Sequence, residues 1–340
     1  MTFKSFAQIT LVSIFLIIVA GSIVRMTGSG MGCPDWPKCF GLIIPPTSIS
    51  EIEWEQGKSF VQGQMIINNE QLWYAKAAFV SSETYNPSNW TLYTKHDYAK
   101  FNTAHTWIEY LNRLIGAISG VLTFILLLMS FRYWKRKRKI VYLSTMVVLL
   151  MCFQGLLGAV VVYSVLQPVK ITIHMLMALL IVALMMYLIT EIPNEKKSIQ
   201  LHYDHILGKI VLFALLFTVV QIILGTQVRQ LIDVVSKSLD FGQRDLWLDL
   251  VGSPFKIHRS FAIILVSLNA LLFIRNYKFN LGFTLPKYIL AIICIEVFSG
   301  IVLSYMDMMA LMQPIHMVAA STLFVLQLAF YLQLRKLKTI

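Results

Sequence analysis

Three histidines, His174, His258 and His316, each fall within the first few residues of a long apolar run. Ionisable and metal-binding side chains are costly inside hydrocarbon and mark function there. Imidazole is also a standard axial ligand of heme iron. His258 and His316 lie on the second and fourth apolar runs of the C-terminal half. Two imidazoles facing each other across a helical bundle can hold one heme iron from both sides. Arg259, beside His258, stands at the wet end of its run, where a guanidinium can pair with a heme propionate. Arg25 and Arg229 end their own runs, and both propionate pairing and snorkelling to the headgroups are open to them.

The N-terminal half differs. The position matching His258 is Asn112, so His174 is the one histidine kept from the pair. An iron ligated on both sides passes electrons, whereas one held by His174 alone keeps a position open for chemistry. His105, Glu109 and Asn112 are spaced i, i+4, i+7 and share a helix face. Glu109 is one turn from Asn112, close enough to set a carboxylate over a ring edge, and its alternative is a helix-end glutamate at the aqueous interface. His105 is two turns, roughly 10 Å, outward of Asn112. Cys33 and Cys39 bracket Pro34-Asp-Trp-Pro-Lys38. They read either as a disulfide or as thiols that cycle. Cys152 and Cys294 lie within apolar runs and read as small buried apolar residues.

These residues need elements to position them. The chain of 340 residues is 57% hydrophobic and 14% charged, with a mean hydropathy of +0.69, which excludes an ordinary soluble domain. Eight apolar runs, at about 8–25, 105–130, 140–163, 171–190, 206–226, 257–275, 286–305 and 314–333, reach the roughly 20 residues that span a bilayer. The net charge of +12 does not point to nucleic acid, because the basic residues occupy alternate loops. Arg132, Lys135, Arg136, Lys137, Arg138 and Lys139 follow the second run. Lys196, Lys197 and Lys209 follow the fourth, Arg275, Lys278 and Lys287 the sixth, and Arg335, Lys336 and Lys338 the eighth. The expectation is that these loops and both termini are cytoplasmic. The long first loop, about 27–103, balances Lys38, Lys58, Lys76, Lys95 and Lys100 against seven acidic residues, Asp97 among them, and is expected to face outward. The first run lacks a small-x-small cleavage site and reads as a retained helix, and no transit peptide is evident. A bacterial inner membrane is therefore expected.

The chain also echoes itself. Gly21-Ser-Ile-Val-Arg25 returns as Gly225-Thr-Gln-Val-Arg229, Asn112-Arg113 as His258-Arg259, and Gln167-Pro168 ahead of His174 as Gln313-Pro314 ahead of His316. Echoes in one order predict an all-α integral membrane protein of eight helices in two pseudo-symmetric four-helix bundles, residues 1–195 and 196–340.

On these features the chain resembles the heme A synthase family over nearly its whole length. The most specific match is Gly21-Ser-Ile-Val-Arg-Met-Thr-Gly-Ser-Gly-Met-Gly-Cys33-Pro-Asp-Trp-Pro-Lys-Cys39-Phe-Gly41. The resemblance implies a C-terminal heme b held by His258 and His316, and heme O as the substrate of the N-terminal half. A porphyrin methyl of heme O would be hydroxylated twice, and the gem-diol would lose water to give the formyl group of heme A. It further implies a Cys33–Cys39 disulfide near the substrate site, an essential Glu109, and Arg113 as its motif partner and a heme-binding residue. The family's Glu-x-x-His-Arg motif here reads Glu109-Tyr-Leu-Asn112-Arg113. Either His105 takes the missing ligand's role or the iron is five-coordinate through His174. No cysteine pair occurs between about 227 and 256, where some relatives carry a second disulfide. The partners implied are a heme O synthase as supplier, an electron donor of unstated identity and the lipid bilayer, with a homo-oligomer left open. The rival readings are a di-heme electron-transfer cytochrome, which would want bis-histidine sites in both halves, and a heme carrier without chemistry.

Overall fold

A computed structural model describes residues 2–95, 100–193, 201 and 203–338. Asp97, Lys196 and Lys197 of the charge pattern lie outside the described residues. Nine helices occur among them: α1 (Phe3–Thr27), α2 (Thr103–Ser130), α3 (Arg138–Tyr163), α4 (Pro168–Glu191), α5 (His205–Ser238), α6 (Trp247–Val251), α7 (Ser253–Lys278), α8 (Leu285–Tyr305) and α9 (Met312–Lys338). All but the short α6 are long and apolar enough to cross a membrane. The protein is therefore an all-α, multi-pass membrane protein, and the eight expected runs are its eight long helices.

One helix outruns its expectation. α5 continues to Ser238, well past the end expected near residue 226. The reason lies in its spacing: Val228, Ile232 and Val235 recur at i, i+4, i+7 and pack with Trp247 and Val251 of α6 and with Met308. Arg229 pairs with Asp233 at 3.1 Å one turn along, which supports the same extension.

Two compact units are present: residues 13–124 with 148–177, and residues 1–12 with 125–147 and 178–340. In the first unit the long loop is not irregular. It carries five short strands, β1 (Ser59–Phe60), β2 (Met65–Asn68), β3 (Gln71–Ala75), β4 (Phe79–Val80) and β5 (Trp90–Leu92). β2, β3 and β5 form one antiparallel sheet, and β1 pairs with β4. The β2–β3 hairpin turns on Asn69 and Glu70, both at positive φ, the backbone that a two-residue hairpin loop demands. Phe60, Ile66, Ala75 and Trp90 form a small core flanked by Trp54, Trp73, Phe79 and Tyr85. The loop is also pinned to α2. A Cβ on Gly32 would lie 2.4 Å from the carbonyl oxygen of His105, so only glycine permits that approach, and the Thr106 hydroxyl donates to the Gly32 carbonyl at 2.8 Å.

In the second unit α5 packs on α7 and α9, and α8 on α7 and α9. Leu207, Val211, Leu272, Ile293, Leu323 and Phe330 are buried at their centre. Polar groups in this core pair with each other: Gln327 donates to Asn269 at 2.9 Å, its own Oε1 left without a hydrogen bond, and Asn276 exchanges two hydrogen bonds with the Phe283 backbone. Asp204 caps α5 by accepting from the Leu207 amide at 2.6 Å. It also receives two bonds from Arg275 of α7, at 2.9 and 2.8 Å. The Arg275 bond comes first among the causes that hold this carboxyl below the ordinary aspartate range. A depressed folded-state pKa gives stability that is full above the unfolded value and is lost as pH falls through the folded value. Asp204→Ala should thus lower the thermal unfolding temperature at neutral pH, with about 1 kcal/mol from the lost cap alone, and the gap to wild type should close as the pH is taken below the ordinary aspartate value of 3.8. Unfolding followed by circular dichroism across that range checks both.

Candidate functional sites

The first site is built where the Cys33–Cys39 loop meets α2. The two sulfurs are at bonding distance, 2.00 Å. Glu109 and Arg113, one turn apart on α2, form an ion pair. Glu109 also accepts the Cys33 amide at 2.9 Å. Arg113 donates to the carbonyls of Asp35 at 2.7 Å and Lys38 at 2.9 Å. Its guanidinium therefore serves as a clamp on the loop, a role that spacing alone does not disclose. Asp35 accepts the Gly41 amide at 2.9 Å, while its Oδ1 is buried without a hydrogen bond. Burial pushes this carboxyl up, with Arg113 opposing. Tyr93 donates to the Pro34 carbonyl at 3.0 Å, and Tyr163 of α3 to that of Trp36 at 2.9 Å.

His174 on α4 meets Gln154 of α3. The Gln154 amide nitrogen is 3.4 Å from His174 Nε2 and donates to the His174 carbonyl at 3.0 Å. The ring's Cε1 lies 3.6 Å from where a Cβ of Gly158 would be. His174 Nδ1 and Asn112 Oδ1 are both buried without a hydrogen bond, and such orphans are costly unless a bound group answers them. An iron atom can answer an open imidazole nitrogen, so His174 fits a heme ligand, whereas the Asn112 oxygen needs a hydrogen-bond donor that heme does not carry. His105 stands half-buried in the first turn of α2, its amide held by Asn102 at 3.1 Å.

The second site belongs to α5, α7, α8 and α9. His258 and His316 do come together: their ring centroids are 6.4 Å apart and their planes cross at 74°. Two imidazole–metal bonds of about 2 Å, with the half-widths of two rings, require roughly this separation. The donor set and spacing fit a heme iron held from both sides. His258 packs against Gly225, where a Cβ would be 3.0 Å from its Cε1, and Gly300 lies under His316 in the same way at 3.5 Å. Gln221 donates to the His258 carbonyl at 3.0 Å. His316 Nδ1 is 3.0 Å from the Glu296 carboxylate and 2.9 Å from the Ser299 hydroxyl.

The remaining arginines are placed singly. Arg25 is in the last turn of α1, Arg229 is paired with Asp233, and exposed Arg259 lies over the Phe255 ring. Gln154, Glu296, Ser299, Gly158 and Gly300 do not emerge from the sequence reading, and Gly225 enters it only as part of an echo, not as a ring contact. A signal was present, because Gln154-x-x-x-Gly158 precedes His174 at the same spacing at which Glu296-x-x-x-Gly300 precedes His316. The Gln-Pro echo misses this register, with Gln167 seven residues before its histidine and Gln313 only three.

Fold and sites define a multi-pass membrane protein with a close imidazole pair in one compact unit and, in the other, a single histidine on α4 and a carboxylate-pinned loop on α2. A family profile described as cytochrome oxidase assembly protein, COX15-CtaA, matches residues 4–79 and 60–328, and the chain belongs to this family. Among its relatives, the heme A synthase of Ehrlichia canis is 26% identical over 92% of this chain and 87% of its own length. That of Shouchella clausii is 26% identical over 81% and 76%. That of Shewanella oneidensis is 27% identical over 64% of this chain, and the match spans about half, 54%, of its length.

Gly225→Val should displace the His258 ring. The expected result is loss of most of the low-spin, bis-imidazole heme absorbance from purified protein, with Gly300→Ala costing far less because its contact is looser. Retention of the full signal in Gly225→Val would show that His258 is not a ligand.

Proposed function

We propose that this chain is a heme A synthase, a membrane oxidoreductase that oxidises a porphyrin methyl of heme O to a formyl group. The observation that carries the reading is the asymmetry between the halves: a 6.4 Å imidazole pair in one, and His174 with Asn112 in the other. His258 and His316 would hold heme b, which when bound supplies electrons one at a time. His174 would hold the iron of heme O, which enters as substrate from a heme O synthase. Two successive hydroxylations of the methyl, using oxygen and electrons from an external donor, yield a gem-diol, and loss of water leaves the aldehyde.

The chain's own part is to bind, orient and exclude water. Glu109 and Arg113 fasten the Cys33–Cys39 loop beside the substrate half, and Glu109 presents a carboxylate on the helix face shared with Asn112. In this role it holds a proton near the ring edge or stabilises positive charge there. Heme O carries a long apolar tail, and a bundle surrounded by lipid accommodates it without desolvation cost. The setting is the bacterial inner membrane, with both heme sites toward the outer face, as the alternating basic loops imply.

Expression in a membrane that makes heme O, followed by extraction and mass spectrometry, should yield heme A that is missing from an empty-vector control. Unchanged heme O under ample oxygen and reductant would sink the synthase reading in favour of an electron-transfer or carrier protein. Glu109→Ala should abolish heme A while the C-terminal heme stays bound. Normal heme A output from that variant would remove Glu109 from the mechanism.

A further inference from the structure

The two histidines that follow the shared Gln/Glu-x-x-x-Gly spacing are buttressed differently. On α8, Glu296 places a carboxylate oxygen 3.0 Å from His316 Nδ1. Ser299 contributes its hydroxyl oxygen at 2.9 Å from the same nitrogen. That hydroxyl donates its own hydrogen to the Glu296 carbonyl at 3.0 Å, so toward the ring it can only accept. With Glu296 ionised, both neighbours of Nδ1 are acceptors, and Nδ1 then carries the ring's proton. The lone pair is left on Nε2, free for a metal. The other carboxylate oxygen, Oε1, is buried without a hydrogen bond. An anion this poorly solvated in a membrane helix is expensive unless a cation stands close.

In the other half the matching residue is Gln154, which has no charge. Its amide donates to the His174 carbonyl, and His174 Nδ1 is buried without a hydrogen bond. His174 thus lacks the carboxylate that His316 has.

We infer that Glu296 is a positioning residue that fixes the tautomer of His316, strengthens it as an iron ligand and sets the C-terminal heme at a lower potential than the His174 site. This rests on the reading that His258 and His316 hold a heme. A carboxylate accepting the distal N–H of a ligating imidazole raises the ligand's basicity, which stabilises the more positive, oxidised iron. The ferric centre is in turn the countercharge that the buried carboxylate requires. The Glu-to-Gln difference between the halves therefore gives electron flow its direction, from the carboxylate-backed heme toward the site of oxidation.

The test is a spectroelectrochemical titration of purified wild type, Glu296→Gln and Glu296→Asp. Glu296→Gln should keep a bis-imidazole spectrum but raise the reduced-to-oxidised ratio at the wild-type midpoint at least tenfold, equivalent to a rise of about 59 mV for a one-electron couple. Glu296→Asp, which keeps the charge, should recover most of the wild-type value. An unchanged midpoint with an intact spectrum overturns the inference and leaves the heme site standing. Should Glu296→Gln not retain heme, redox-difference infrared spectra of Glu109→Gln protein decide. A carboxylate band that follows the heme midpoint and shifts in Glu109→Gln/Glu296→Asp protein supports the coupling, and bands unmoved by Glu296→Asp, which are those of the heme propionates, overturn it. A wild-type protein with no bis-imidazole heme overturns the heme-site reading itself, and this inference with it.

Discussion

Inside a hydrocarbon layer no water is available to a polar side chain, so each one must be answered by protein or by a bound group. Most of this structure follows from that constraint. Where the answer is structural, the groups pair with each other, as Gln327 does with Asn269 and Asn276 with the Phe283 backbone. Where it is functional, atoms are left open: Nδ1 of His174 and of His258, and Oδ1 of Asn112. Open atoms are not confined to the candidate sites, since Gln327 Oε1, Ser119 Oγ and Thr218 Oγ1 are also buried without a hydrogen bond, but both sites hold them. Histidine, asparagine and glutamate would be poor choices for these positions if packing were all they had to do.

The same constraint explains what was legible in the sequence. Eight spans could be read because a helix that crosses lipid needs a long apolar stretch, and each expected run is met by a helix. The histidines stood out because hydrocarbon makes them rare, and His258 and His316 do face each other. The strands of the first loop were not legible. They are short, lie outside the membrane, and owe their order to aromatic contacts such as Phe60 with Phe79 and Trp90, which join residues far apart in sequence. The continuation of α5 was missed for a related reason: its extension is amphipathic rather than uniformly apolar, and a search for spans passes over it.

Side-chain roles were the least readable. Spacing put Glu109 on one face of α2 with His105 and Asn112, and the family resemblance implied a heme contact for Arg113, but neither could show that Glu109 and Arg113 hold the backbone of the Cys33–Cys39 loop. Glu296 was passed over within an apolar run although its distance to His316 equals that from Gln154 to His174. The echoes followed the histidines and their immediate flanks, as at Asn112 and His258, and a differing pair twenty residues upstream of His174 and His316 fell outside them.

The first loop leaves and re-enters its unit at nearly one point: Phe40, just after the cysteine pair, and Phe101, just before α2, stack edge to face at 5.7 Å. Between them the chain folds back on the site, with Met65, Leu72 and Tyr93 packed on the cysteine pair and Tyr110 of α2, and the Thr103 hydroxyl donating to the Thr47 carbonyl at 3.1 Å. Its inner face is thus coupled to α2 and, through Lys95 over the Tyr163 ring, to α3. The cluster of Phe60, Ile66, Ala75 and Trp90 is separate from those contacts, so a change confined to it would alter what the protein shows to its surroundings while the histidines stay where they are.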